Sequence, residues 1–205
     1  MPITFTSHTE AAHTYLVCRF DTCYLIDPSD HDEAIKEALA GRRLAGILLT
    51  HAHSDHVHLI GEFDAPVFIH KADAHLLFED AHNGYAPGKH PYKKRLLDLR
   101  YVDDGQRLPL ADHAIEVLHT PGHTKGSVSY LYDRDLFTGD TLFQGSVGRH
   151  DLYSGSLPEL KKSIIRLLSL PGGTCIHPGH DAPTTIRHEH KNNPFYQKWH
   201  RQIKR

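Results

Sequence analysis

Six consecutive residues without a charge, Leu44-Ala-Gly-Ile-Leu-Leu49, run almost directly into His51-Ala-His53-Ser-Asp55-His56. A short, continuously apolar run is the pattern of a strand covered on both faces, so the chain must build layers around a sheet. The flanking sequence alternates strands and helices. Tyr15-Leu-Val-Cys-Arg-Phe20 and Thr22-Cys-Tyr-Leu-Ile26 read as a hairpin split at Asp21, and Asp30-His-Asp-Glu33 as a capping box for a helix that Gly41 ends. A helix is expected from near Ser54, a strand at Pro66-Val-Phe-Ile69 and a helix from Lys71 to about Glu79. The stretch from Asp80 to Arg95 reads as a long solvated loop; a basic lid carrying Tyr85, Lys89, His90, Tyr92, Lys93, Lys94 and Arg95 is the alternative.

A second half repeats this logic. Ala114–Leu118, Val128–Tyr132 and Leu136–Thr138 are predicted strands, and Thr174–His177 is predicted as the last one. Ser156-Leu-Pro-Glu159 is a second capping box, opening a helix whose apolar stripe is Leu157, Leu160, Ile164, Ile165, Leu167 and Leu168. The expected class is α/β, a single domain of two halves, about 1–105 and 106–205, with helices flanking two sheets.

Composition narrows the function classes. The 205 residues hold 23 basic and 25 acidic side chains, a net charge of −2, which argues against general nucleic-acid binding. No run of eighteen apolar residues is present, so no membrane helix is expected. The first residues have neither a basic nor an apolar segment of the secretory kind, and a cytoplasmic protein is expected. Three cysteines, Cys18, Cys23 and Cys175, with no Cys-x-x-Cys pair, predict no disulfide and a reducing compartment.

Twenty histidines stand out against this background. His51 and His53 are two apart and point to one side of extended backbone, so they can share a metal, while Asp55 and His56 sit at a turn and can serve a second. In so His-rich a chain that pattern alone arises by chance in roughly one or two sequences in a hundred. Its company decides. His123 lies in Thr120-Pro-Gly-His-Thr-Lys-Gly126, Asp140 in Phe137-Thr-Gly-Asp-Thr-Leu142, and His180 in His177-Pro-Gly-His-Asp181. Each follows a predicted strand and adjoins glycine, which lets backbone approach a buried ion. Five imidazoles and two carboxylates suit two divalent cations, zinc first, with iron and manganese as alternatives.

With these motifs in order, the chain resembles the metallo-β-lactamase superfamily, whose signature is His-x-His-x-Asp-His followed by a later His, Asp and His. Thr120-Pro-Gly-His-Thr-Lys-Gly-Ser127, Thr138-Gly-Asp-Thr-Leu-Phe-Gln-Gly-Ser-Val-Gly-Arg149 and Thr184-Thr-Ile-x-x-Glu189-x-x-x-Asn193-Pro-Phe195 are similar to the glyoxalase II group, hydroxyacylglutathione hydrolases and their short relatives. The resemblance implies a four-layer αββα sandwich with His51, His53 and His123 on one metal, Asp55, His56 and His180 on the other, and Asp140 between them. It implies a thioesterase acting on a glutathione-derived thioester such as S-lactoylglutathione through a metal-activated water, with Asp55 also catalytic. Arg149 occupies the family's basic substrate contact, with Tyr153 and Lys191 as further substrate-binding candidates. Two departures are Val57-His58-Leu59, where the family has glycines, and an end ten residues after Phe195, short of a helical extension that helps hold glutathione. Persulfide dioxygenases resemble the chain through Gly145-Ser-Val-Gly-Arg149 and imply one ferrous ion on His51, His123 and Asp140. A His-rich metal-binding protein without catalysis is the remaining alternative, although storage tracts are usually runs of His. β-Lactam hydrolysis is not expected without an export signal.

Overall fold

The computed structural model describes residues 1–203 apart from 8, 10, 87, 90, 91 and 93–95, and the side chains of 201–203 fall outside the description. His90, Lys93, Lys94 and Arg95 of the lid alternative therefore lie outside the described residues.

The first sheet runs in chain order: β1 (Ile3–Phe5), β2 (Thr14–Arg19), β3 (Thr22–Ile26), β4 (Arg43–Leu48), β5 (Val67–His70) and β6 (Leu99–Val102). β1 to β3 are antiparallel and β3 to β6 parallel, with α1 (Asp32–Leu39) making the crossover into β4. One turn of helix, α2 (Ser54–Val57), follows β4. The second sheet contains β7 (Arg107–Leu110), β8 (His113–His119), β9 (Val128–Tyr132) and β10 (Asp135–Gly139). A separate hairpin, β11 (Leu142–Phe143) and β12 (Ser146–Val147), precedes α3 (Leu157–Leu167). β13 (Cys175–Pro178) then pairs parallel to β10, and β14 (Thr184–Thr185) closes that edge before α4 (Ile186–Asn192) and α5 (Pro194–Ile203).

Period-two alternation sorts the side chains into layers. Tyr15, Val17, Tyr24, Ile26 and Leu48 of the first sheet meet Ile115, Val117, Tyr130 and Phe137 of the second in one buried cluster between the sheets. Their chain neighbours face outwards: Leu16, Cys23 and Leu25 against Ile35 of α1, and Leu136 and Ile176 against Leu160, Ile164 and Leu167 of α3. The product is the four-layer αββα sandwich. At α3 half of the capping box forms: Ser156 Oγ accepts the Glu159 N–H at 3.5 Å, while the Ser156 N–H donates to the Gly122 carbonyl at 2.8 Å rather than to the Glu159 side chain.

Several local expectations give way to longer-range contacts. The Asp30 carboxylate accepts the N–H of the adjacent His31 at 2.7 Å, so the first capping box does not form and α1 starts at Asp32. The helix expected over 71–79 is a five-residue 3-10 turn, Ala74–Phe78, with no side-chain cap. Asp73, at its start, spends its carboxylate on the other half of the chain. Thr174–His177 is not the last strand, because β14 pairs with β13, and α4 and α5 follow it. Tyr85 and Tyr92 anchor the long loop inward: Tyr92 is buried and donates to the Leu77 carbonyl at 3.2 Å.

The expectation of no disulfide is overturned. Cys18 and Cys23 are direct register partners on β2 and β3, with Cα atoms 4.1 Å apart, and they are bonded. A count of cysteines cannot reveal this; the two-residue turn at Phe20 and Asp21 aligns the pair. Cys175 is free and exposed. Among the described residues no helix is long and apolar enough to cross a membrane.

Candidate metal centre

The donors meet where strands end. His51, His53, Asp55 and His56 follow β4, His123 follows β8, Asp140 follows β10 and His180 follows β13. His53 Nδ1 lies 3.1 Å from His51 Nε2 and 2.9 Å from His123 Nε2. Beside this trio, His180 Nε2 is 3.1 Å from Asp55 Oδ2, and His56 Nε2 is 3.2 Å from Asp140 Oδ1. Asp140 faces both groups, its Oδ2 standing 3.7 Å from His123 Nε2. All seven candidate ligands are thus brought together, in sets of three and four.

Two buried carboxylates and a carbonyl set this geometry. Asp27, just past β3 in left-handed backbone (φ 47°), accepts the Thr50 N–H at 2.8 Å and its hydroxyl at 2.6 Å. The same Asp27 Oδ2 lies 2.8 Å from His56 Nδ1, which donates to it and directs Nε2 towards Asp140, where that nitrogen could bind a cation in place of a proton. His123 is oriented likewise by donating Nδ1–H to the Arg149 carbonyl at 2.8 Å. Its loop is pinned by Asp73, which is fully buried and accepts the Thr124 hydroxyl at 2.5 Å and the Gly126 N–H at 2.7 Å. Asp27 and Asp73 were not singled out from sequence. Asp27 directly follows a predicted strand, and that placement was the signal that could have found it; Asp73 falls inside the helix expected from Lys71 and carried no such signal.

The two groups differ electrically. Burial, reinforced by the neighbouring imidazoles, holds His51 well below the ordinary histidine range and brings His53 down to about 4, so both are neutral at pH 7. Burial would also lower His56, but Asp140, Asp55 and Asp27 outweigh it and raise it strongly. Burial would raise Asp140 and Asp55; the facing imidazoles, His56 first, hold both below the usual carboxylate range. Its hydrogen bond to Asp55 raises His180.

The residues fit divalent metal. His56 Nε2 and Asp140 Oδ1 are buried with no hydrogen bond: they stand close without donor–acceptor alignment, as two groups do when both address a third. In the first group, the imidazole nitrogens aimed at one another are likewise poor partners for themselves and good ligands for a cation.

Two glycines permit the approach. A Cβ at Gly148 would overlap the Asp140 carbonyl oxygen, and one at Gly179 would stand 2.5 Å from Asp140 Oδ1 and 2.6 Å from His56 Cε1. Gly179→Ala is therefore expected to lower metal affinity by about 10–100-fold and stability by roughly 1–3 kcal/mol. Gly173→Ala, at an open position, is expected to change neither. Titration with zinc and thermal unfolding of both variants check this; equal affinity in Gly179→Ala would remove the close-packing argument.

A family model described as the metallo-beta-lactamase superfamily matches residues 9–180. The chain belongs to that superfamily. A Bacillus subtilis relative described as a probable metallo-hydrolase is 36% identical over 194 residues, covering 90% of this chain and 92% of its own. A hydroxyacylglutathione hydrolase of Aeromonas hydrophila is 32% identical over 175 residues, 82% of this chain and 61% of that one. Among solved structures, the B3 metallo-beta-lactamase BLEG-1 superposes with a TM-score of 0.86 at 33% identity, covering 96% of this chain and 99% of its own. TTHA1623 in a di-iron-bound form gives 0.79 at 38%, covering 95% and 99%. ETHE1 from Myxococcus xanthus gives 0.75 at 27%, covering 95% and 83%. Membership of this metallo-hydrolase superfamily supports a metal-dependent hydrolase in general terms.

An open cavity of about 660 Å³ rises from the centre, with Asp55, His123, Asp140 and His180 in its floor. Arg149 and Tyr153 are in its wall, and Lys191 is not among its lining residues, lying exposed on α4. Arg149 is paired with Asp151 at 3.1 Å across two contacts, and its side chain is 67% exposed. Tyr153 stacks face to face on His82 at 3.9 Å and reaches His75 at 3.4 Å. His82 is a wall residue that the sequence did not single out. His58 is exposed, beside the Tyr85 hydroxyl at 3.3 Å, and is not in the cavity lining.

Proposed function

We propose that the protein is a thioesterase for S-acylglutathione, with S-lactoylglutathione as reference substrate, working with two divalent cations. The observation that carries this reading is the two-part donor set in the floor of an open cavity with Arg149 in its wall. Similarity to a hydroxyacylglutathione hydrolase supports the thioester class.

His51, His53 and His123 would hold one ion, Asp55, His56 and His180 the other, and Asp140 would serve both. Zinc suits these ligands, with iron and manganese as alternatives. When bound, the cations supply Lewis acidity and bring the pKa of water towards neutrality. The chain's own groups supply the rest. Asp55, steadied by His180, presents a carboxylate into the cavity to orient the attacking water. Asp27 and the Arg149 carbonyl keep His56 and His123 in the tautomers that leave Nε2 free. The Arg149 guanidinium, exposed at the rim, offers a bidentate contact for a glutathione carboxylate in exchange for Asp151. Tyr153 and His82 give that wall a flat aromatic face. A thiol leaving group ionises near pH 8.5, so its departure needs little help from an acid.

A second reading, a mononuclear iron persulfide dioxygenase, is favoured by the likeness to ETHE1 and by Gly145-Ser-Val-Gly-Arg149. Anaerobic purification with metal quantification separates the two when joined to assays on S-lactoylglutathione and on glutathione persulfide. Two metals per chain with thioester turnover is the expected result. One iron per chain with oxygen consumption on the persulfide would replace it with the dioxygenase. Many loosely held ions without turnover would leave only metal binding.

A further inference from the structure

We propose that Glu189 is a positioning residue for the substrate: its buried carboxylate on α4 braces the β11–β12 hairpin that forms one wall of the cavity. The proposal rests on the reading of that cavity as the substrate site.

Glu189 is 0% exposed, and a carboxylate so placed is tolerated only when its oxygens are occupied. Oε1 accepts the Thr184 hydroxyl at 2.7 Å. Oε2 accepts the Asn193 amide at 2.9 Å and, across the fold, the Gly145 N–H at 2.8 Å. The exposed His188 ring stands 4.0 Å from Oε1. Gly145 is in the turn of the hairpin, in left-handed backbone (φ 67°). Asn193 donates to the next carbonyl, Ser146, at 3.1 Å. The Gly145 N–H and the Ser146 carbonyl are thus both held from the junction of α4 and α5.

The hairpin needs such support. It pairs at only two positions, Leu142 with Val147 and Phe143 with Ser146; Leu142 is anchored in the core against α3, whereas the turn end extends beyond that anchor, and so short a ladder is marginal by itself. Phe143, Ser146 and Val147 line the cavity, and the chain continues through Gly148 to Arg149, whose carbonyl holds His123. Glu189 itself is not a lining residue. Its effect on substrate runs through the hairpin to the placement of the Arg149 side chain.

The test compares Glu189→Gln with Thr184→Val in the full-length, metal-loaded protein. Glutamine places an NH2 against groups that already donate, whereas Thr184→Val removes only the bond from β14 and leaves those to the hairpin and Asn193. Four quantities are measured: metal per chain, hydrogen exchange at 145–147, affinity for the non-hydrolysable S-methylglutathione, and KM against kcat on S-lactoylglutathione. Glu189→Gln is expected to keep its metal, to exchange about tenfold faster at Gly145, and to raise KM and the S-methylglutathione dissociation constant about tenfold with kcat within about threefold. Thr184→Val is expected to keep wild-type KM and exchange. Unchanged exchange and KM in Glu189→Gln would overturn the proposal, and so would a joint loss of metal, kcat and affinity in both variants. If Glu189→Gln does not fold, Asn193→Ser replaces it: Asn193 Oδ1 accepts the Phe195 and Tyr196 N–H groups at the start of α5, and serine keeps an oxygen there while dropping the hold on Ser146. Failure of both to fold overturns the proposal in favour of a purely structural role. A wild-type protein that hydrolyses no acylglutathione would refute the proposed function, while exchange at Gly145 would still decide the brace.

Discussion

Asp140→Ala is expected to lose bound metal and hydrolytic turnover in parallel, with at least one metal per chain gone and kcat/KM down by about a thousandfold or more. The size of the effect follows from position. Asp140 is the one carboxylate that stands within 3.2 Å of His56 and 3.7 Å of both His123 and His180, so it addresses both ligand groups at once. Its removal takes away the negative charge that would hold a cation among these imidazoles and leaves both ligand groups one donor short. Metal quantification alongside activity on a folded, purified variant measures this. Retention of two metals with full turnover in Asp140→Ala would rule out the dinuclear arrangement.

Stripping the metal is expected to lower the midpoint of thermal unfolding by about 10 °C, restored on adding zinc back. A ligand present at a thousand times its dissociation constant stabilises the folded state by about 4 kcal/mol, and chains of this length shift by roughly 2–4 °C per kcal/mol. The structure supplies the reason for a large dependence: His56 Nε2 and Asp140 Oδ1 have no hydrogen-bond partner of their own. Calorimetry before and after chelation tests it. A midpoint that does not move would mean the donors satisfy one another without an ion.

How much of this was legible beforehand differs residue by residue. The strands from β2 to β5 and from β8 to β10 follow from alternation and apolar runs, because the period of a strand is written locally. The apolar stripe of α3 is legible for the same reason. The 3-10 turn at Ala74–Phe78 was not, since the acidic residue that would cap a helix there bonds to Thr124 and Gly126, more than fifty residues away. The Cys18–Cys23 bond depends on hairpin register, which a cysteine count does not contain. Lys191 looked like Arg149 in chemistry, but α4 carries it away from the cavity that Arg149 edges.

By itself the sequence determined the two-sheet layering, the order of the seven candidate ligands and their place at strand ends. These depend on side-chain periodicity and ligand chemistry, both local properties. Only the tertiary structure brought these residues within reach of one another in groups of three and four, set Asp27 and Asp73 against them, and carried Glu189 and Asn193 to the hairpin beside Arg149. Those outcomes rest on distances of a few ångströms between residues far apart in the chain, and such distances exist only once the two sheets have packed.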